Sequence, residues 1–148
     1  MPLNLRHAQE TLRQELGPEA LPMVEFVPTI EEAVRTADLA IDCVPDELES
    51  KLEILWLLDR MAPPRTVLAT PTTRLSITDL ANCTYRPEKV IAIAAEASAL
   101  CGGAGKSIAL RTIAATSLET VELLKEFWER LAFSVEFEAD LDVSAGKS

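Results

Sequence analysis

Two short runs carry the side chains whose types and spacing could do chemistry. The first is Cys43-Val44-Pro45-Asp46, with Lys51 one helical turn further on, and the second is Ala69-Thr70-Pro71-Thr72-Thr73. Each follows an apolar run that reads as a buried strand. In the stretch Ala37 to Leu80 the pattern is strand, helix, strand, helix, so both runs fall on the same edge of a parallel sheet. In open α/β sheets that carboxyl edge is where ligands bind. The Thr72 and Thr73 hydroxyls there either cap the end of a strand or meet a ligand. No metal centre is expected, because one histidine (His7) and three scattered cysteines (Cys43, Cys83, Cys101) make no Cys/His ligand set. Gly102-Gly103-Ala104-Gly105-Lys106-Ser107 imitates a phosphate loop. That motif needs glycine at position 100, which is Leu100, and a helix rather than a strand after it. It reads instead as a flexible loop whose amides could meet an anion beside Lys106.

The elements that position these runs follow from hydrophobic spacing. Leu5, Ala8, Leu12 and Leu16 make Leu3 to Leu16 a helix, stopped by Gly17-Pro18. The alternative is a strand tail over Pro2 to Leu5, with the helix after it. Glu19 to Pro22 is a linker, and Met23 to Val27 is a short β-type run. Thr29 with Glu32 forms a capping box for a short helix ending near Thr36. Leu39 to Val44 is a buried strand. Asp46 with Glu49 caps a helix from Glu47 to about Met61, whose apolar stripe is Leu48, Leu52, Leu55 and Trp56. Pro63-Pro64 stops that helix. Thr66 to Thr70 is a strand ended by Pro71. Ser76 caps a helix to about Cys83, Arg86-Pro87-Glu88 turns, and Val90 to Ala94 is another buried strand. After an irregular Ala95 to Lys106 come a strand (Ser107 to Ala114) and a helix capped by Ser117 and running to Leu131. Val121, Leu124, Trp128 and Leu131 form that helix's apolar face. Phe133 to Ala139 alternates apolar and polar residues, as a half-buried strand does at a sheet edge or on one face. Trp56 and Trp128 read as core or interface anchors.

Composition narrows the class. The chain has 148 residues, 48% of them hydrophobic, which suits one domain with a real core over residues 1–140 and a tail over 141–148. No apolar run is long enough to span a membrane. The formal charge of −10 opposes nucleic acid and anionic lipid as partners. The odd, scattered cysteines suit a reducing compartment, and no signal peptide is evident at the start. A cytoplasmic location is expected.

The residues resemble the NAD-binding domain of the 3-hydroxyacyl-CoA dehydrogenase family, which includes 3-hydroxybutyryl-CoA dehydrogenases. The matching text is Ala37-Asp38-Leu39-Ala40-Ile41-Asp42-Cys43-Val44-Pro45-Asp46 with Lys51, then Leu68-Ala69-Thr70-Pro71-Thr72-Thr73-Arg74-Leu75-Ser76-Ile77, then Arg86-Pro87-Glu88-Lys89-Val90-Ile91. The family typically reads ADLVIEAVPE, LASNTSSLSI and RPERVIGMHFFNP. The resemblance implies that Cys43, Val44 and Asp46 face the ribose and phosphate side of bound NAD. It implies that Lys51 approaches cofactor and CoA substrate, and that the Thr73 hydroxyl stands in for a substrate-binding serine. Read without the resemblance, Asp46 is a helix cap and Lys51 a solvated lysine.

The departures fall on one mechanism. The glycine-rich turn after the family's first strand, which cradles the pyrophosphate, has no counterpart. Pro71 replaces an asparagine, and Ala94 stands where the family has its catalytic histidine. The glutamate that orients that histidine aligns near Ala109. Glu96 is the one nearby substitute carboxylate. The expected fold is an incomplete Rossmann-like three-layer α/β domain, its sheet mostly parallel with antiparallel strands near the carboxyl terminus. The expected role is a ligand- or partner-binding module, with a CoA-type ligand as one candidate, that has lost hydride transfer. The alternative is an NAD-dependent dehydrogenase active only with a partner supplying the missing parts. Exposed sheet edges imply a homo-oligomer or a rearranged sheet.

Overall fold

The computed structural model describes residues 3–16, 21–100 and 106–141. Five strands form one sheet: β1 (Leu39–Ile41), β2 (Val67–Pro71), β3 (Val90–Ile93), β4 (Ser107–Thr112) and β5 (Ser134–Ala139). Their spatial order is their chain order, and only the β3–β4 pair is antiparallel. The helices are α1 (Leu3–Glu15), α2 (Ile30–Val34), α3 (Leu48–Met61), α4 (Ile77–Ala81) and α5 (Leu118–Arg130).

Side chains alternate across the sheet and divide the core in two. Leu68, Val90 and Ala92 face Val34 of α2, Leu55 and Leu58 of α3, and Ile77 and Leu80 of α4. Val67, Ala69, Ile91 and Ile93 face Leu124 and Trp128 of α5. β2 and β3 are buried along their whole length, which is why they read as unbroken apolar runs. Phe133 closes the α5 layer, its ring edge-on to Trp128 at 5.1 Å. The result is the expected three-layer, mostly parallel α/β domain.

Caps work as expected at three helices. The Glu32 amide donates to Thr29 Oγ1, the Asp79 amide to Ser76 Oγ, and the Thr120 amide to Ser117 Oγ. The expected Asp46 cap is corrected. Glu47 occupies the cap position of α3 without a side-chain bond, because the Asp46 carboxylate is taken by Thr72 and Thr73.

Other expectations also change. Helix begins at Leu3, so the described residues favour the helical reading of the first segment over a strand tail. Met23 to Val27 forms no strand: a 3-10 turn spans Leu21–Met23, and the rest finds no neighbouring strand to pair with. The apolar stripe of α3 is shifted. Leu48 and Trp56 are about half exposed, whereas Lys51, Leu55 and Leu58 point into the core. Trp56 is covered instead by Arg60, whose guanidinium lies 4.4 Å from the ring centre. Trp128 is buried, but Leu131, which caps the carboxyl end of α5, is exposed. β5 is an edge strand and is mostly exposed rather than half buried. The loop over residues 101–105 and the tail from 142 onward lie outside the described residues.

Candidate functional site

β1, β2 and β3 end side by side at the carboxyl edge, and their following turns build a cleft of about 320 Å³. It is lined by Cys43, Val44, Pro45 and Asp46 after β1, Lys51 from α3, Pro71, and Glu96 to Ser98 after β3. The two runs singled out from the sequence do meet here.

Lys51 sits beneath this edge, not in solvent. Its side chain is 1% exposed and that of Asp42 is 2% exposed, with Nζ 2.7 Å from Asp42 Oδ1. The same Asp42 oxygen accepts the Val44 amide at 3.3 Å, so the ion pair also shapes the turn into the site. Asp42 Oδ2 is buried and has no hydrogen-bond partner among the described residues. The Asp42 contact occupies one of the ammonium's three donors. Lys51 is therefore a cation held by a buried acid at the base of the cleft, which corrects the solvated-lysine reading.

Asp46 and the threonines form a second cluster. Asp46 Oδ1 accepts the Thr72 hydroxyl, and Oδ2 accepts the Thr73 amide at 3.0 Å and, weakly, the Thr73 hydroxyl at 3.5 Å. Arg74 Nη2 donates to the Asp46 carbonyl at 2.6 Å. Partial burial pushes the Asp46 carboxyl upward. The Thr72 and Thr73 hydrogen bonds, with the charges of Lys51 and Arg74, outweigh it and hold Asp46 below the ordinary aspartate range. Thr72 Oγ1 accepts the amides of Arg74 and Leu75 in turn, so it shapes the strand-to-helix turn as well. The alternatives for these threonines thus resolve in part: Thr72 is buried and structural, while Thr73 is exposed beside Asp46 with a hydroxyl only loosely engaged.

Ala94 lies just past β3, its amide donating to the Ala109 carbonyl at 2.8 Å. Both positions present methyl groups, and the lining carboxylate two residues on, Glu96, has no ion-pair partner among the described residues. Arg111, which sequence reasoning did not single out, pairs with Glu138 at 2.9 Å and reaches the Thr72 carbonyl at 3.5 Å. His7 lies exposed on α1 and does not line the cleft. No group of acidic, His or Cys residues among those described could hold a metal ion, and no helix among them is long and apolar enough to cross a membrane.

Comparison with known proteins agrees with this architecture. Residues 3–94 match the family described as 3-hydroxyacyl-CoA dehydrogenase, NAD binding domain. A probable 3-hydroxybutyryl-CoA dehydrogenase of Bacillus subtilis is 43% identical over 63 residues, 43% of this chain and 22% of that protein. An L-carnitine dehydrogenase of Burkholderia mallei is 37% identical over 90 residues, 60% of this chain and 28% of that protein. The solved 3-hydroxyacyl-CoA dehydrogenase of Archaeoglobus fulgidus superposes with a TM-score of 0.76 at 20% identity, covering 95% of this chain and 48% of that one. The 3-hydroxybutyryl-CoA dehydrogenase of Escherichia coli gives 0.72 at 26% identity, covering 92% and 29%. The chain spans only about a quarter of the length of these two curated relatives. On the family match and the shared fold, this chain belongs to the 3-hydroxyacyl-CoA dehydrogenase family, as a domain of its NAD-binding type.

Proposed function

We propose that this chain binds a nucleotide-type ligand, NAD or part of CoA, at the carboxyl edge and does not transfer hydride by itself. One observation carries the second half of that reading. At Ala94, and across the strand pair at Ala109, no side chain can take or hold a proton. The binding half rests on the cleft. Its 320 Å³ is at the small end of ligand pockets, roughly 300–1,000 Å³. It suits one nucleoside-sized portion of a dinucleotide rather than the whole. The Asp46 and Glu96 carboxylates suit ribose hydroxyls better than phosphates, and among the described residues Lys51 is the one cation lining the cleft. When bound, NAD would supply the hydride-accepting ring. This chain's own contribution would be to hold the ribose through Asp46, to present the strand-end backbone at Cys43 and Val44, and to offer the Thr73 hydroxyl.

Two measurements test the reading. Thermal melts with NAD⁺ and with CoA should rise with ligand concentration as mass action requires, and Asp46→Ala should weaken the rise. NADH should not be consumed with acetoacetyl-CoA. Steady NADH oxidation by the chain alone would overturn the loss of hydride transfer, and flat melts with both ligands would overturn the binding role.

A second reading is an NAD-dependent dehydrogenase completed by further polypeptide. It is favoured by the small share of its relatives' length that this chain spans. It requires turnover to appear on adding the missing part, with the proton relayed by a residue other than Ala94.

A further inference from the structure

We propose that Glu138 and Asp140, at and just past the end of β5, are positioning residues for the carboxyl-edge cleft. They fasten residues 72–78, the segment that holds Asp46, at both of its ends. The proposal rests on the reading of that cleft as a nucleotide site. Asp140 makes the stronger fastening. Its Oδ1 accepts the Ile77 amide at 2.8 Å, and its Oδ2 accepts the Ser76 hydroxyl at 2.7 Å, the Thr78 amide at 3.0 Å and the Thr78 hydroxyl at 2.6 Å. Hydrogen bonds to an ionised acceptor are roughly twice as strong as neutral ones. Four of them converge here from three consecutive residues.

At the other end of the segment, Arg111 of β4 donates to the Thr72 carbonyl at 3.5 Å. Glu138 holds that guanidinium at 2.9 Å, and the two residues sit opposite each other in the β4–β5 register. The bond to Thr72 is long, so this is the weaker fastening.

Thr73 and Arg74 lie between these two points, and Asp46 is what the segment holds. The Thr72 hydroxyl and the Thr73 amide take one Asp46 carboxylate oxygen each, and Arg74 reaches the Asp46 carbonyl. The direction of that carboxylate is therefore set by this segment, and through it by β5. A ribose hydroxyl bonds well only along an acceptor's lone-pair directions. A segment free to swing would carry Asp46 with it, and binding would first have to order both. Glu136, two residues before Glu138, makes no ion pair among the described residues and supplies the control.

Asp140→Asn keeps the size of the side chain and turns one of its two acceptor oxygens into a donor. Two readouts need no ligand. Hydrogen exchange of the Thr73 amide should quicken by at least about tenfold, beyond any change in the core amides of β3. The Asp46 carboxyl, titrated by NMR, should move up toward its ordinary 3.8 as its donors loosen. Glu138→Gln should shift both readouts the same way by less, and Glu136→Ala should shift neither. By calorimetry, the dissociation constant for NAD⁺ or CoA, whichever the parent binds, should rise about tenfold in Asp140→Asn. Parent-like Thr73 exchange and Asp46 titration in that variant overturn the proposal, as does unchanged affinity. Should Asp140→Asn fail to fold, Glu138→Gln decides by the same readouts. If the parent binds neither NAD⁺ nor CoA, the nucleotide reading alone falls, and the two ligand-free readouts still decide whether β5 positions Asp46.

Discussion

Ala94 and Ala109 stand opposite each other at the β3–β4 junction, the amide of the first donating to the carbonyl of the second at 2.8 Å. The register continues from Ala92 with Arg111 and Ile93 with Leu110. The family resemblance puts a histidine at the first position and its orienting glutamate near the second. The two positions thus face each other, and neither carries a side chain that can take a proton. Opposed residues on antiparallel strands hold their Cβ atoms roughly 4.5–5.5 Å apart, so a carboxylate at 109 can reach an imidazole at 94. The imidazole introduced by Ala94→His should titrate near its ordinary pKa of about 6.5. Adding Ala109→Glu should raise it by about one unit, because the facing carboxylate favours the imidazolium. Titration by NMR reads both values, and equal pKa values would show that the two side chains do not face each other.

The Asp42–Lys51 pair makes a strong stability prediction. Both side chains are almost wholly buried, and Asp42 Oδ2 already lacks a partner. Lys51→Met strands a buried carboxylate, and Asp42→Leu strands a buried ammonium. Either should cost about 3–5 kcal/mol. The double substitution should recover most of that loss, since well-packed apolar residues often replace a buried ion pair at little cost. Urea unfolding of the four proteins closes the cycle. Additive single effects would mean that the pair is not coupled.

That pair also shows where the sequence was legible and where it was not. Periodicity reported β1 to β4 and the five helices because burial on one or both faces writes itself into residue spacing. It reported the meeting of the two strand-end runs because parallel strands must end together. The role of Lys51 was missed because a lysine near the start of a helix is usually solvated. Two signals were present: Asp42 interrupts an otherwise apolar strand, and Lys51 shares the inward face of α3 with Leu55 and Leu58. The partners of Asp46 are hidden from the sequence for a different reason. Local capping logic sees three residues ahead, whereas Thr72 and Thr73 come from the next strand end. Met23 to Val27 has β-type residues, but a strand needs a neighbour, and no local pattern reports whether one exists.

Acid should destabilise this fold through two carboxylates. Asp46 is held below its ordinary value of 3.8 as described above. At Asp140, burial raises the pKa, but bonds from the Thr78 and Ser76 hydroxyls and the Thr78 and Ile77 amides outweigh it and hold the value below 3.8. A depressed folded pKa gives stability that is fully present above the unfolded pKa and lost as pH falls through the folded one. The urea midpoint should therefore decline as the pH drops below about 4. Asp140→Asn should lower the midpoint at neutral pH and flatten the acid limb, because one of the two linked protons is gone. An unchanged acid limb in that variant would remove Asp140 from the account.

Arg86 ties the turn before β3 to the end of α3 and the start of β2 through all five of its N–H donors. Nε meets Asp59 Oδ1 at 2.8 Å; Nη1 meets the carbonyls of Pro63 at 2.7 Å and Thr66 at 3.0 Å; Nη2 meets those of Asp59 at 2.9 Å and Ala62 at 3.1 Å. The Asp59 carboxylate also accepts the Tyr85 amide at 2.9 Å, so acid and base together fix the turn. A lysine keeps the charge but offers three donors on a compact group, and it cannot reach carbonyls spread around a planar fork. Arg86→Lys should therefore lose about 3 kcal/mol, as buried carbonyls go unpaired. Arg86→Met should lose more, because Asp59 is then left buried without its cation. Since β2 and β3 end in the cleft, loosening their starts should also weaken any nucleotide-induced rise in melting temperature by more than the stability loss alone accounts for. Denaturant unfolding within about 0.5 kcal/mol of the parent for Arg86→Lys would show that charge, and not the five-fold geometry, is what this position supplies.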